Sequence, residues 1–229
     1  MTGYRRYAIY YAPRDGAFAD ATAAWLGWDA CKGRATAHPA LQGLPAAVAD
    51  LTAAPRKYGF HGTIKAPFRL LPGIGQSDLD GEVKALVQRL PAVRMAGLSL
   101  QRLKGFLALL PEGDDTELMA LAADVVTRLD HLRAPLTEAE IARRRPERLT
   151  QRQRNLLDVW GYPHVMEEFR FHLTLSSDLS EGLAEQVAAV LRPWLEPVLP
   201  RPFVIEDLCL FGEDDGGRFH LISRHALAG

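Results

Sequence analysis

Cysteine is nearly absent from this 229-residue chain, which has only Cys31 and Cys209, far apart in sequence. Two such thiols build neither a disulfide framework nor a metal knuckle, and their scarcity suits a reducing compartment. An excess of charge of either sign is also missing, with 27 Lys and Arg set against 28 Asp and Glu for a net charge of −1. Without a strong positive field the chain has little to recruit long DNA or RNA. A small charged substrate fits better. No apolar run approaches the roughly 20 residues that cross a bilayer. The opening stretch Arg5-Arg6-Tyr7-Ala8-Ile9-Tyr10-Tyr11-Ala12 is cut by Pro13-Arg14-Asp15 and is too short and too aromatic for a secretory leader. A cytoplasmic protein with no membrane partner is therefore expected. Flexible linkers and low-complexity tracts are lacking too, and the length is ample for a core built without cross-links.

What the chain does have is a motif that returns. Phe60-His61-Gly62-Thr63-Ile64 recurs as Phe171-His172-Leu173-Thr174-Leu175, an aromatic, His, any residue, Thr, then an aliphatic. A bare His-x-Thr is weak evidence in a chain with seven His, but the same apolar frame on both copies is far more demanding. Phe219-His220-Leu221-Ile222 shares the frame without the hydroxyl, and His220 reads as an ordinary packed strand histidine.

Side chains two apart in a strand share a face, so His61 lies beside Thr63 and His172 beside Thr174, with Phe60, Gly62, Ile64, Phe171, Leu173 and Leu175 on the opposite, core-facing side. The same alternation places Lys65 next to the first pair, and Arg170 and Ser176 next to the second. Gly62 reads as a point where backbone and substrate come close.

Two imidazoles and two hydroxyls in one cleft are enough for metal-free acid–base chemistry on a phosphate ester. A neutral His takes the proton of an attacking water while a charged His gives one to the departing sugar oxygen. Thr63 and Thr174 would hold non-bridging oxygens, and Lys65 or Arg170 would offset the charge that grows on phosphorus. Neither motif carries a carboxylate or third imidazole at ligand spacing, so neither a metal nor another cofactor is expected.

The order strand, helix, strand, strand surrounds both motifs. The first motif strand (about 58–70) leads to a helix opened by Ser77, with Leu79, Val83, Leu86, Val87 and Leu90 on one face and Pro91 as its stop, then strands Val93–Leu100 and Gly105–Leu110. The second (about 168–176) leads to a helix capped by Ser180, carrying Leu183, Val187, Val190 and Leu191 and ended by Pro193. Strands Phe203–Phe211 and Arg218–Ser223 follow, joined by the Gly212–Gly217 turn. This predicts an α+β fold, a duplicated, bilobal single domain over 1–229. Two antiparallel-sheet-plus-helix lobes, about 58–110 and 168–224, are related by a pseudo-twofold axis with a central cleft. A strand Tyr4–Tyr11, a helix with Phe18, Thr22 and Trp25, and a helix from Asp115 with Leu118, Leu121, Val125 and Leu129 pack outside the repeats. Segment 137–158 reads as one or two helices broken near Pro146. Its arginines (Arg143, Arg144, Arg145, Arg148, Arg152, Arg154) alternate with Glu138, Glu140 and Glu147 as on a solvated helix face, the other reading being a lid that lays an arginine on a phosphate. Trp160-Gly161-Tyr162-Pro163 reads as a packed turn, the other reading being an aromatic at the groove mouth that stacks on a nucleobase.

With both motifs complete in a duplicated fold, the chain resembles the 2H phosphoesterase superfamily, which includes bacterial RNA 2′-5′ ligase-like proteins and cyclic nucleotide phosphodiesterases. Tyr58-Gly59-Phe60-His61-Gly62-Thr63-Ile64-Lys65-Ala66-Pro67-Phe68 and the stretch from Thr137-Glu138 to Leu175 resemble its DUF1045-like subgroup associated with phosphonate metabolism. The resemblance implies His61 and His172 as catalytic acid and base, Thr63 and Thr174 as phosphate ligands, and a cyclic ribose phosphate as a sensible substrate. Tyr58, Lys65, Arg170 and Ser176 are expected to line the substrate site. The expected activity is a metal-independent phosphodiesterase acting on a small cyclic ester. The competing readings are an RNA-end cyclic phosphodiesterase or 2′-5′ ligase, and a non-enzymatic protein that binds a phosphate ligand. Which histidine is the base, which bond opens and whether the chain self-associates stay open at this level.

Overall fold

The first strand shows how the layers are arranged. In β1 (Arg6–Tyr11), Tyr7, Ile9 and Tyr11 enter the main apolar core, while Ala8 and Tyr10 join a smaller cluster on the other face with Trp28, Cys209, Phe211 and Phe219. A strand buried on both sides belongs in the middle of a sheet. The structure, a computed structural model, describes residues 3–228.

After β1 come α1 (Ala17–Leu26), the short ribbon β2 (Trp28–Asp29) and β3 (Arg34–Ala35), two single-turn helices α2 (Val48–Leu51) and α3 (Ala53–Arg56), and the first motif strand β4 (Gly62–Phe68). Next are α4 (Gln76–Val87), β5 (Val93–Met95), β6 (Gly97–Leu103), β7 (Phe106–Glu112) and α5 (Thr116–Arg128). Then α6 (Glu138–Arg143) and α7 (Gln151–Trp160) flank a 3-10 turn at Pro146–Arg148. Each of these two helices opens on a threonine capping box, Thr137 with Glu140 and Thr150 with Gln153. The chain ends with the second motif strand β8 (Leu173–Thr174), α8 (Glu181–Leu195), β9 (Phe203–Ile205), β10 (Asp207–Glu213) and β11 (Phe219–Ala226).

The fold is α+β, and its main sheet is antiparallel with strand order β11-β10-β1-β4-β8-β7-β6. The two motif strands are neighbours at its centre. About that seam the order is palindromic: β10-β1-β4 on one side answers β6-β7-β8 on the other. The repeating unit is therefore β1-α1-β4-α4-β5-β6 against β7-α5-β8-α8-β9-β10, with β5 paired to β9. Two expectations change. β1 and α5, expected outside the repeats, belong to them, and the lobes do not follow the segments 58–110 and 168–224. The tight hairpin at Lys104-Gly105 ties β6 to β7, so the last strand of each unit pairs with the first strand of the other.

Element ends also shift. The first motif strand starts at Gly62, and α4 is capped by Gly75 rather than by Ser77. The second motif strand shrinks to two residues because Met166–Glu168 turns as a 3-10 helix just upstream. Pro193 does not end α8, which closes at Leu195, one turn-end later. Leu79, Val83, Leu86 and Val87 of α4, Leu118, Leu121 and Val125 of α5, and Val187 and Leu191 of α8 are buried in the main core as their spacing predicts. Among the described residues no helix is long and apolar enough to cross a membrane.

Candidate active site

Gly62 pairs with Leu173 across the seam between β4 and β8. Antiparallel pairing then sets His61 opposite Thr174 and Thr63 opposite His172, four side chains of one parity on one face. Each histidine sits diagonal to the other, with Cβ atoms about 7 Å apart by sheet geometry. All four side chains line a groove of about 410 Å³, together with Arg6, Tyr10, Tyr58, Phe106, Arg144 and Tyr162. Phe60, Ile64, Phe171, Leu173 and Leu175 point the other way, into the core.

The two imidazoles are held in the same manner. His61 Nδ1 lies 2.9 Å from the Gly59 carbonyl and His172 Nδ1 lies 2.7 Å from the Arg170 carbonyl, each two residues upstream. A carbonyl can only accept, so Nδ1 carries the hydrogen and Nε2 is left with the lone pair in the neutral ring. The turn that aims the Gly59 carbonyl has φ of 70°, and a Cβ there would lie 2.4 Å from that of Ala30, so glycine is required. Among the described residues neither threonine hydroxyl has a protein hydrogen-bond partner.

Their surroundings differ. Tyr10 stacks on His61 with ring centroids 3.9 Å apart, whereas Phe106 stands 5.5 Å from His172 at a tilt. Burial pushes His61 down to about 4, against an ordinary imidazole value of 6.5; the Gly59 carbonyl opposes this and the nearby His172 adds to it. His172 is also lowered by burial, with the Arg170 carbonyl opposing. Near neutral pH the free groove thus holds two uncharged rings, and an anion arriving between them favours protonation of one.

Several expected ligands are elsewhere. Lys65 is not beside Thr63: a bulge in the pairing, where Tyr10 faces Thr63 but Ile9 faces Lys65, breaks the alternation. Its buried ammonium donates to the Val126 carbonyl and to Asp130 at 3.1 and 3.2 Å, so it anchors β4 to α5. Lys65→Met is expected to keep turnover within about twofold, measured on a folded sample, because the pair serves packing rather than the groove. Arg170 folds back onto the Glu167 and Phe169 carbonyls, since the chain there is not yet a strand. Ser176 does line the groove, but its hydroxyl is spent, accepting from the Leu107 amide and donating to the Ser177 carbonyl. Gly62 faces not substrate but the Phe171 ring, 2.2 Å from where a Cβ would stand. Tyr58 lines the groove with its ring 5.9 Å from that of His61, while His220, in β11 and outside the groove, is bonded to Asp214.

Sequence reasoning missed Arg6 and Tyr10, although Arg6, Ala8 and Tyr10 share a face of β1 and its alternation would have aimed them together. Arg6 is held by both carboxylate oxygens of Glu213 at 2.5 and 2.7 Å. Among the described residues no three His, Cys, Asp or Glu side chains cluster as a metal site would need.

The profile of a family described as "Protein of unknown function (DUF1045)" matches residues 63–220, which include both paired motif threonines. The chain belongs to the DUF1045 family. Two curated relatives are named ribose 1,5-bisphosphate phosphokinase PhnN. The one from Janthinobacterium sp. (strain Marseille) is 36% identical over 218 residues, 93% of this chain and 48% of the relative. The one from Laribacter hongkongensis (strain HLHK9) is 35% identical over 215 residues, 93% of this chain and 49% of the relative. This DUF1045 chain spans about half the length of those relatives. Among solved structures, E. coli LigT complexed with NADP+ aligns over 100% of both chains at 14% identity and a TM-score of 0.47. A crystal structure of a phosphoesterase aligns over 99% of both at 14% identity and 0.46.

Proposed function

We propose that this chain hydrolyses a small cyclic phosphodiester without a metal, with His61 as general base and His172 as general acid. What carries the reading is that both rings have Nδ1 tied to a carbonyl at their backs and line the same groove, so each has Nε2 left for a substrate. Water attacks phosphorus and gives its proton to His61 Nε2; the bond from phosphorus to one ring oxygen breaks, and that oxygen takes the proton from His172 Nε2. The product is a phosphate monoester with a free sugar hydroxyl, and both rings return to their starting states by exchange with solvent. Thr63 and Thr174 donate to the non-bridging oxygens. Tyr10 packing and burial keep His61 neutral, which suits the base. His172 is less tightly stacked and takes up its proton as the anionic ester binds.

A ribose phosphate is the favoured substrate. The relatives' name places ribose 1,5-bisphosphate in a protein that contains a region like this chain, and opening a ribose 1,2-cyclic phosphate yields a ribose phosphate monoester. The chain itself has no Gly-Lys dipeptide, hence no phosphate-cradling Gly-x-x-x-x-Gly-Lys-Ser/Thr loop, so kinase chemistry of that kind is not proposed for it.

The test is turnover of 1,2-cyclic ribose phosphates and 2′,3′-cyclic nucleotides with chelator present. Retained activity on a sugar ester is expected; activity abolished by chelator, or none on any cyclic phosphate, would refute the proposal. The pH dependence follows from the shifts. The base works only when unprotonated, so kcat/KM rises through its pKa of about 4. The acid works only when protonated, so kcat/KM falls as pH climbs through the lowered His172 value. The kcat/KM optimum is expected below pH 6.5, with the basic limb of kcat at higher pH because the bound anion favours the imidazolium.

A further inference from the structure

Of the arginines clustered near α6 and α7, Arg144 is the one that lines the groove. Arg143 turns back to the Ala139 carbonyl, Arg152 pairs with Glu167, and Arg154 donates to the Pro146 and Leu149 carbonyls. Arg144 closes α6 and lays its guanidinium over the Tyr162 ring, 4.7 Å from the centroid. Among the described residues its side chain has no carboxylate partner and no hydrogen bond. The groove's other arginine, Arg6, already has Glu213. Leaving a half-buried guanidinium unpaired is costly unless an anion completes it.

The location of this charge decides which anion. His61 packs against Tyr10 and Tyr58, and His172 against Phe106, whereas Arg144 lies over Tyr162, whose own ring partner is His164. Arg144 therefore stands on the Tyr162 side of the groove, apart from the reacting phosphorus. Nor do Tyr58 and Tyr162 offer a stacking platform for a base. Arg144 covers Tyr162, and Phe219 and Lys57 lie 5.1 and 5.0 Å from the Tyr58 ring. A groove of about 410 Å³ is ample for a phosphorylated sugar.

We propose that Arg144, in the groove beside Tyr162, binds a second, non-reacting phosphate monoester of the substrate. The substrate is then a doubly phosphorylated sugar, with one phosphate cyclised between His61 and His172 and the other terminal. This rests on reading the His61–His172 centre as a cyclic phosphodiesterase site. The planar fork of Arg144 grips two phosphate oxygens, and binding energy from that remote end holds the cyclic ester in line.

Ribose 1,2-cyclic phosphate with and without a 5-phosphate makes the matched pair of substrates. The wild-type chain is expected to prefer the 5-phosphorylated ester by at least about twentyfold in kcat/KM. Arg144→Gln should reduce that preference to within about threefold, chiefly through KM, and Arg144→Lys should keep part of it. Equal loss on both esters, or no wild-type preference, overturns the inference. Calorimetric titration of ribose 5-phosphate, which has no bond to open, separates the subsite from the chemistry. Affinity that falls with Arg144→Gln in a chain that turns over no cyclic ester leaves the subsite standing and the catalytic reading refuted. Turnover with a titration indifferent to Arg144 does the reverse. Thermal melts confirm that each variant is folded.

Discussion

Replacing His172 with alanine is expected to lower kcat by about a hundredfold or more, and His61→Ala by a similar factor. The double variant should lose little beyond either single one, because a proton taken without a proton given does not complete the displacement. The two variants should differ in their pH profiles. Without His172 the basic limb disappears, since no group remains whose deprotonation removes the acid; without His61 the acidic limb goes. Single-turnover rates on a cyclic ribose phosphate, across pH, check this. Full activity in His172→Ala would end the two-histidine mechanism, and identical residual profiles would undo the assignment of base and acid.

The second large effect is expected at a residue that carries no chemistry. Gly62→Ala places a methyl 2.2 Å from the Phe171 ring, which is itself wedged in the core near Tyr11 and Phe203. Overpacking of this kind costs about 2–3 kcal/mol. The site suffers as well, because Gly62 and Leu173 are the residue pair that registers one motif strand against the other. Separating the strands by a fraction of an ångström misaligns the base with the acid, and turnover of the folded variant should drop by more than about tenfold. Urea denaturation and kcat measure the two losses. Shortening the ring in the same background, Gly62→Ala with Phe171→Leu, should restore most of the stability; a Gly62→Ala chain as stable and as active as the parent would show that the strands are not in tight contact.

The contrast between these positions explains what could be read from the sequence. The shared face of the two histidines and two threonines was legible because a strand enforces a period of two, and that period survives into the folded sheet. The helix faces were legible for the same reason at a period of 3.6. Lys65 was misplaced because one extra residue opposite Ile9 and Tyr10 resets the alternation, and nothing local in Ile64-Lys65-Ala66 announces a bulge. Arg170 was misplaced because alternation was extended into a segment that has not yet become a strand. The extent of the repeat was misjudged because β1 and β7 share no motif, only position; their equivalence exists in the sheet order and not in the residues. Arg144 was visible as one of several arginines, but which of them turns inward depends on where α6 stops, a tertiary fact.

The palindromic strand order has a consequence for how the two halves hold together. In each half the last strand leaves the first strand of its own half and pairs with that of the other, β6 on β7 and β10 on β1. The halves are thus clasped as partners that exchange strands are, and each sends one imidazole into the groove along their common seam.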